Sequence, residues 1–198
     1  MVLAEQHQAL LYLDDAHGFG LFGKNGHGCL EHFNISSPNI IYMGTLGKAI
    51  GVSGAFLAAN RVWIDWLIQK SRPVIYSTSP SPTIAHTVLK SINLIESPEG
   101  LQKRSHLFAL IAFWTEHAHF KKWATLPSSS AIQPLLIGSN AEVVHVSEAL
   151  RQLQIWVPAI RPPTVPLNTG RLRITLNADH SIDHLKQLLD ALHQIKSN

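Results

Sequence analysis

The chain has 198 residues, 45% apolar and 15% charged, which is enough to bury a sizeable core and too apolar for a disordered segment. Its net charge of +3 comes without a block of like charges or a basic stripe interleaved with aromatics, which argues against a nucleic-acid partner. No apolar run reaches the ~18 residues of a membrane span, the first residues lack a signal-peptide pattern, and the single cysteine, Cys29, excludes an internal disulfide framework. A cytoplasmic protein is expected, with no membrane partner and with Cys29 as a small buried or turn residue.

In chain order, residues 2–8 read as a helix and residues 9–13 as a short apolar strand ending at Asp14-Asp15-Ala16-His17-Gly18. A glycine-rich loop follows, through Gly20, Gly23, Gly26 and Gly28. Residues 40–43 form a second strand, followed by Thr45-Leu-Gly-Lys48 and a third strand over 54–59. An aromatic-rich helix spans 62–70 and ends near Ser71-Arg72-Pro73. Residues 74–78 are predicted as a strand, and Ser79-Pro-Ser-Pro82 turns into a long helix reaching about residue 119, broken around Ser97-Pro98-Glu99-Gly100. Beyond it come a strand at 132–137, a helix at 141–153, strands at 155–160 and 171–176, and a closing helix at 182–195.

The alternation of strands and helices in the first half predicts an α/β fold with a largely parallel, helix-covered sheet over residues 1–100. Residues 101–198 read as a smaller α+β domain. There are no internal repeats.

Two segments carry chemistry. Lys48 follows an apolar run and sits among Gly44, Gly47, Gly51 and Gly54. That setting suits an amine partly removed from water, so that it is neutral and nucleophilic near pH 7. The second segment is the strand end at Asp14-Asp15, where open α/β sheets gather ligands, with His17 close behind. A carboxylate at one strand end and a lysine at the next is the pair a pyridoxal phosphate site needs. The carboxylate keeps a pyridine nitrogen protonated and the lysine holds the cofactor, while Thr45 offers a hydroxyl to its phosphate. Spacing alone does not choose between Asp14 and Asp15. The DEAH-like spelling of residues 14–17 is not a helicase signature, because no phosphate-binding G-x-x-x-x-G-K-[ST] is present. Apart from His117-Ala-His119, whose i, i+2 spacing on a helix points to different faces, the histidines show no tight metal spacing, and His180 with His184 lacks a third ligand, so no metal is expected.

Residues 11–20, 45–54, Tyr76-Ser77-Thr78-Ser79, 159–166 (Ala-Ile-Arg-Pro-Pro-Thr-Val-Pro) and 171–175 (Arg-Leu-Arg-Ile-Thr) resemble, in order, the α-oxoamine synthase family of fold-type I pyridoxal phosphate enzymes. Residues 130–138 and the Ile-Arg-Pro-Pro-Thr-Val-Pro stretch favour the branch that condenses L-alanine with a pimeloyl thioester in biotin biosynthesis. A glycine-using sister such as 2-amino-3-ketobutyrate ligase, or an inactive remnant, is the rival reading. The resemblance implies that Lys48 is the Schiff-base lysine, Asp14 the partner of the pyridinium nitrogen and His17 the contact to the phenolic oxygen. It makes Thr45 a phosphate ligand, and Ser77 and Thr78 ligands of the phosphate in a neighbouring subunit. Arg161 and Thr164 fall in its substrate-contacting loop, and Arg173 clamps the amino-acid carboxylate. The cofactor implied is pyridoxal 5′-phosphate. The substrates are L-alanine and pimeloyl-CoA or pimeloyl-acyl carrier protein, and the assembly is a homodimer.

Members of that family are about twice this length. The resemblance therefore implies a C-terminal half lacking part of the cofactor site, with bare strand edges: a fragment, a truncated gene product, or one piece of a split chain whose partner is a separate N-terminal half.

Overall fold

In the computed structural model, which describes residues 1–195, the chain clusters into two units, Met1–Gln102 and Lys103–Asn198. The first unit opens with α1 (Val2–Gln6), β1 (Leu11–Asp14) and the short α2 (Cys29–His32), followed by β2 (Ile40–Thr45) and β3 (Ala55–Ala58). β1 and β2 run parallel, with Leu11 opposite Ile40 and Asp14 opposite Met43. β2 and β3 run antiparallel, with Thr45 opposite Ala55. The sheet is therefore less parallel than expected. The 46–54 connection is too short for a parallel crossover, which needs about a dozen residues or more, so the chain must double back. Along β2 the period-two pattern buries Ile40, Tyr42 and Gly44.

α3 (Arg61–Lys70) starts at Asn60, whose side chain accepts the Val62 amide. The strand expected at 74–78 is instead α4 (Arg72–Ile75) followed by irregular backbone. Pro73 in its first turn presets helical φ and has no amide to lose there. α5 (Pro82–Glu96) and α6 (Pro98–His117) are separate helices that meet at Ser97. A Cβ on Gly100 would lie 2.3 Å from the carbonyl oxygens of Leu94 and Ile95, so the tight junction admits only glycine.

α6 runs on into the second unit, which adds β4 (Ala124–Thr125), β5 (Ile132–Gly138), α7 (Asn140–Gln152), β6 (Ala159–Ile160), β7 (Gly170–Thr175) and α8 (Ile182–Gln194). Its sheet has the order β4-β5-β7-β6 and every pairing is antiparallel. Of the strand expected over 155–160, only Ala159 and Ile160 pair. Alternation along β7 buries Gly170, Leu172 and Ile174 and leaves Arg171 and Arg173 on the other face. α7 lies on the buried face, where a Cβ on Gly170 would be 3.0 Å from Val143. Leu110, Trp114, Leu135, Val143, Val146, Leu150, Leu172 and Leu192 fill the core of this unit.

Candidate active site

The last residue of β1, Asp14, is exposed, and its Oδ1 accepts the Ala16 amide at 3.0 Å. Asp15 turns the other way, as strand alternation requires, and is only 2% exposed. Its Oδ2 accepts the Cys29 amide and the Tyr42 hydroxyl, both at 2.7 Å. The two aspartates that spacing could not separate thus differ in availability. Asp15 is consumed inside the protein, and Asp14 keeps a carboxylate oxygen at the strand end. Burial, reinforced by Asp15, pushes the Cys29 thiol up to about 12 and raises the Tyr42 phenol as well.

Lys48 sits in the loop between β2 and β3, which is locked by its own backbone. The Leu46 amide donates to Gly54 O at 2.9 Å, Val52 N to Leu46 O at 2.8 Å and Gly51 N to Lys48 O at 2.9 Å. Gly51 and Gly54 adopt φ of +70° and +107°, which glycine alone takes without strain. Ile50, 4% exposed, plugs the loop into the unit, and Ser91 of α5 donates to its carbonyl at 2.7 Å. Lys48 itself is exposed, and no partner engages its amine among the described residues. The desolvation expected for it is absent, because the flanking glycines carry no side chains to cover it. A Cβ on Gly51 would meet nothing within 4 Å.

The two loops touch. Thr45, half-buried at the end of β2, points its hydroxyl at Ala16 O, 3.4 Å away. Phe19 packs edge-on against Phe56 with centroids 5.1 Å apart. A Cβ on Gly20 would fall 2.5 Å from that of Ala49, next to Lys48. Asp14, His17, Thr45 and Lys48 therefore share one end of the parallel strand pair, the carboxyl ends of β1 and β2, with His17 exposed on the first loop. Ser77 and Thr78 follow α4, both exposed, with the Ser77 hydroxyl donating to Val74 O at 3.3 Å.

In the second unit Arg173 stands half-buried opposite Pro134, its guanidinium without an acceptor among the described residues. Arg171, on the same face, is occupied by Thr169 through Nε to the carbonyl at 3.1 Å and through a second nitrogen to the hydroxyl at 3.2 Å. Arg161 and Thr164 close a turn, with Thr164 N donating to Arg161 O at 3.0 Å. Arg161 lines an open cleft of about 380 Å³ with Ser147, Glu148 and Arg151 of α7 and with Trp156. Arg173 is not part of that cleft. Sequence reasoning did not single out Tyr42 or the cleft. The inward position of Tyr42 in the β2 alternation was the one available signal.

The chain is 50% identical over 196 residues to the 8-amino-7-oxononanoate synthase of Janthinobacterium sp. (strain Marseille), covering 99% of this chain and 50% of that protein. It is 52% identical over 193 residues to the enzyme of the same name from Nitrosospira multiformis, covering 98% and 48%. It thus spans about half the length of the curated relatives it matches. Among solved structures, 8-amino-7-oxononanoate synthase from Francisella tularensis superposes with a TM-score of 0.82 at 29% identity, covering 93% of this chain and 54% of that one. Sphingomonas wittichii serine palmitoyltransferase superposes with a TM-score of 0.83 at 26% identity, covering 97% and 48%. A structure of SPT with PLP as an internal aldimine gives the same TM-score, identity and coverage. The family model for aminotransferase class I and II matches residues 1–192, and the chain belongs to that family, whose members include PLP-dependent enzymes.

Proposed function

We propose that this chain supplies the lysine and carboxylate share of a pyridoxal 5′-phosphate site. The reaction proposed for the whole enzyme is condensation of L-alanine with a pimeloyl thioester, carried by coenzyme A or acyl carrier protein, to 8-amino-7-oxononanoate. The observation that carries the reading is the meeting of the Asp14 strand end with the Lys48 loop, fastened by the Thr45–Ala16 and Gly20–Ala49 contacts. The donor set fits the cofactor. It offers an anionic oxygen for a pyridinium nitrogen, an unpartnered amine on a rigid loop, and a hydroxyl beside it for a phosphate. Identity near 50% to synthases of that name supports alanine over glycine as the amino acid.

When bound, the cofactor would supply an electron sink for a carbanion at the amino-acid Cα. The chain's own residues do the rest. Lys48 Nζ holds the cofactor and carries the proton to and from Cα, and its hydrogen-bonded loop keeps that path short. Asp14 keeps the pyridine nitrogen protonated. His17 donates toward the phenolic oxygen and polarises the thioester carbonyl. Thr45 binds the phosphate, and Ser77 and Thr78 reach that of a neighbouring subunit in a homodimer. Arg173 grips the substrate carboxylate, a task for which its planar fork is suited and for which Arg171, already bonded to Thr169, is not free. Arg161 and Thr164 contact the acyl substrate.

The test is titration of the protein with pyridoxal phosphate, followed by its lysine-linked absorbance band. Wild type should develop the band and Lys48→Ala should not. A band of equal strength in both proteins would sink the assignment of Lys48. Product analysis with alanine against glycine then decides the amino acid.

A further inference from the structure

We infer that Asp15 is a positioning residue for the proposed site: it fixes where Asp14 and His17 stand without touching the cofactor itself. This inference rests on the reading of Asp14 and Lys48 given above. Asp15 commits every polar group it has. Its amide donates to Met43 O at 2.9 Å, which registers the end of β1 on β2. Its carbonyl accepts the Gly18 and Phe19 amides at 3.0 and 2.9 Å, which closes the turn that carries His17. Its carboxylate reaches across to Tyr42 on β2 and to the first residue of α2, Cys29.

Glycines collar that carboxylate. A Cβ on Gly18 would lie 2.1 Å from Oδ1, and one on Gly28 would lie 2.1 Å from Oδ2. The side chain therefore fits in one place only. Cys29, its thiol held protonated and hydrogen-bonded to the carboxylate, closes the remaining side. Asp14 ends β1, and Asp15, still bonded to Met43 of β2, continues its alternation, so anchoring one inward aims the other outward. The Ala16 amide, directly after Asp15, is then delivered to Asp14 Oδ1 at 3.0 Å. One buried side chain thereby sets the carboxylate that faces the ligand.

A buried carboxylate stripped of its donors, or donors stripped of their acceptor, is costly, so the anchor resists small displacements. Asn at position 15 is isosteric, and its carbonyl oxygen can accept both the Cys29 amide and the Tyr42 hydroxyl. It should preserve the aim of Asp14, whereas Ala should not.

The experiment compares Asp15→Asn, Asp15→Ala and Tyr42→Phe in the full chain. The last variant keeps the ring and removes one donor, so it stands in should Asp15→Ala fail to fold. Two readouts are taken. Hydrogen exchange at the Ala16 amide reports whether Asp14 is held, with no cofactor present. The pyridoxal phosphate titration reports affinity and the pH at which the bound band changes form, neither of which follows from loss of stability alone. Expected are near wild-type values for Asp15→Asn, faster Ala16 exchange in Tyr42→Phe and Asp15→Ala, and pyridoxal phosphate affinity lowered about tenfold in both, a step of ~1.4 kcal/mol. Unchanged Ala16 exchange in Tyr42→Phe overturns the positioning role whatever the cofactor does. Faster exchange with unchanged affinity and an unchanged pH transition also overturns it, leaving a purely structural anchor. A wild type that forms no band defeats the functional reading instead, and the exchange arm still decides whether Asp15 holds Asp14.

Discussion

At the scale of single residues, the chemistry of this chain divides between groups that are spent and groups that are kept available. Asp15, Tyr42 and Cys29 are spent on one another. The side chains of Lys48, Arg161 and Arg173 have no hydrogen-bond or ion-pair partner among the described residues. The Cys29 thiol makes the first class measurable. Burial, then hydrogen bonding to Asp15 and its charge, push it up to about 12, against the ordinary ~8.5 of a free thiol. At pH 8.5 an unfolded chain has about half its thiol as thiolate, and the folded chain almost none. Since the chain has one cysteine, a thiol reagent should react slowly in buffer and rapidly in denaturant, by a factor of roughly a hundred or more. Equal rates would contradict the buried network. Lys48 could be singled out in the sequence as a lone lysine among glycines after an apolar run, a pattern that an exposed loop lysine shares, and it is the pairing with the Asp14 strand end that lends it weight. The split between Asp14 and Asp15 was not legible there, because it depends on which face of β1 meets Tyr42 from a strand some thirty residues on, and local pattern does not carry that register.

Elements obeyed the sequence where their own residues decide the outcome and departed from it where a neighbour does. The 3.6-residue pattern placed α7 and α8, and capping residues closed their ends: Ser139 accepts the Glu142 amide and Ser181 the His184 amide. The apolar run at 74–78 could not become a strand without a partner to bond to, and Pro73 tipped its start into a helical turn. Likewise β6 pairs only at Ala159 and Ile160, where β7 supplies partners. The start of α8 carries a pH dependence. His184 Nδ1 accepts the Ser181 amide and His180 Nδ1 accepts the Asn177 amide, which the His180 ring can do only with that nitrogen unprotonated. Burial, then the nearby His184, lower the His180 pKa, and Asp179 opposes them in part. Folded His180 therefore binds fewer protons than the unfolded chain. The stability this confers is complete above the unfolded value of ~6.5 and is lost as pH falls through the folded one. The thermal midpoint should drop between about pH 7 and pH 5, and His180→Asn should flatten that slope. Ser181→Ala should cost about 1 kcal/mol, because it removes the side chain that caps the His184 amide. A slope unaltered by His180→Asn would assign the acid sensitivity elsewhere.

Taken as a whole, the molecule distributes its apolar surface unevenly. In the first unit the buried apolar residues are Ala16, Leu21, Ile40, Tyr42 and Ile50, which lie in β2 and in the loops that follow β1 and β2. Neither α3 nor α5 buries any residue, and Val62, Trp66, Leu89 and Leu94 are exposed. The remaining buried apolar residues all lie in the second unit, where α7 lies on the antiparallel sheet and α8 packs against α7. Local stability follows buried apolar contact, so the two units should open at different free energies. Hydrogen exchange resolved by peptide should find β7, α7 and α8 the slowest to exchange. Segments from α3, β3 and α5 should exchange about a hundredfold faster or more, the ratio that a gap of ~3 kcal/mol in opening free energy gives. The Asp14 and Lys48 loops should fall between these, since Asp15, Ile50 and Ser91 tie them down while the helices beside them are thinly packed. If a polypeptide covering the exposed faces of α3 and α5 binds, protection should rise in those helices first and leave α7 and α8 unchanged. Uniform protection across both units of the free chain would contradict the uneven core. It would mean that α3 and α5 are held by something other than apolar burial.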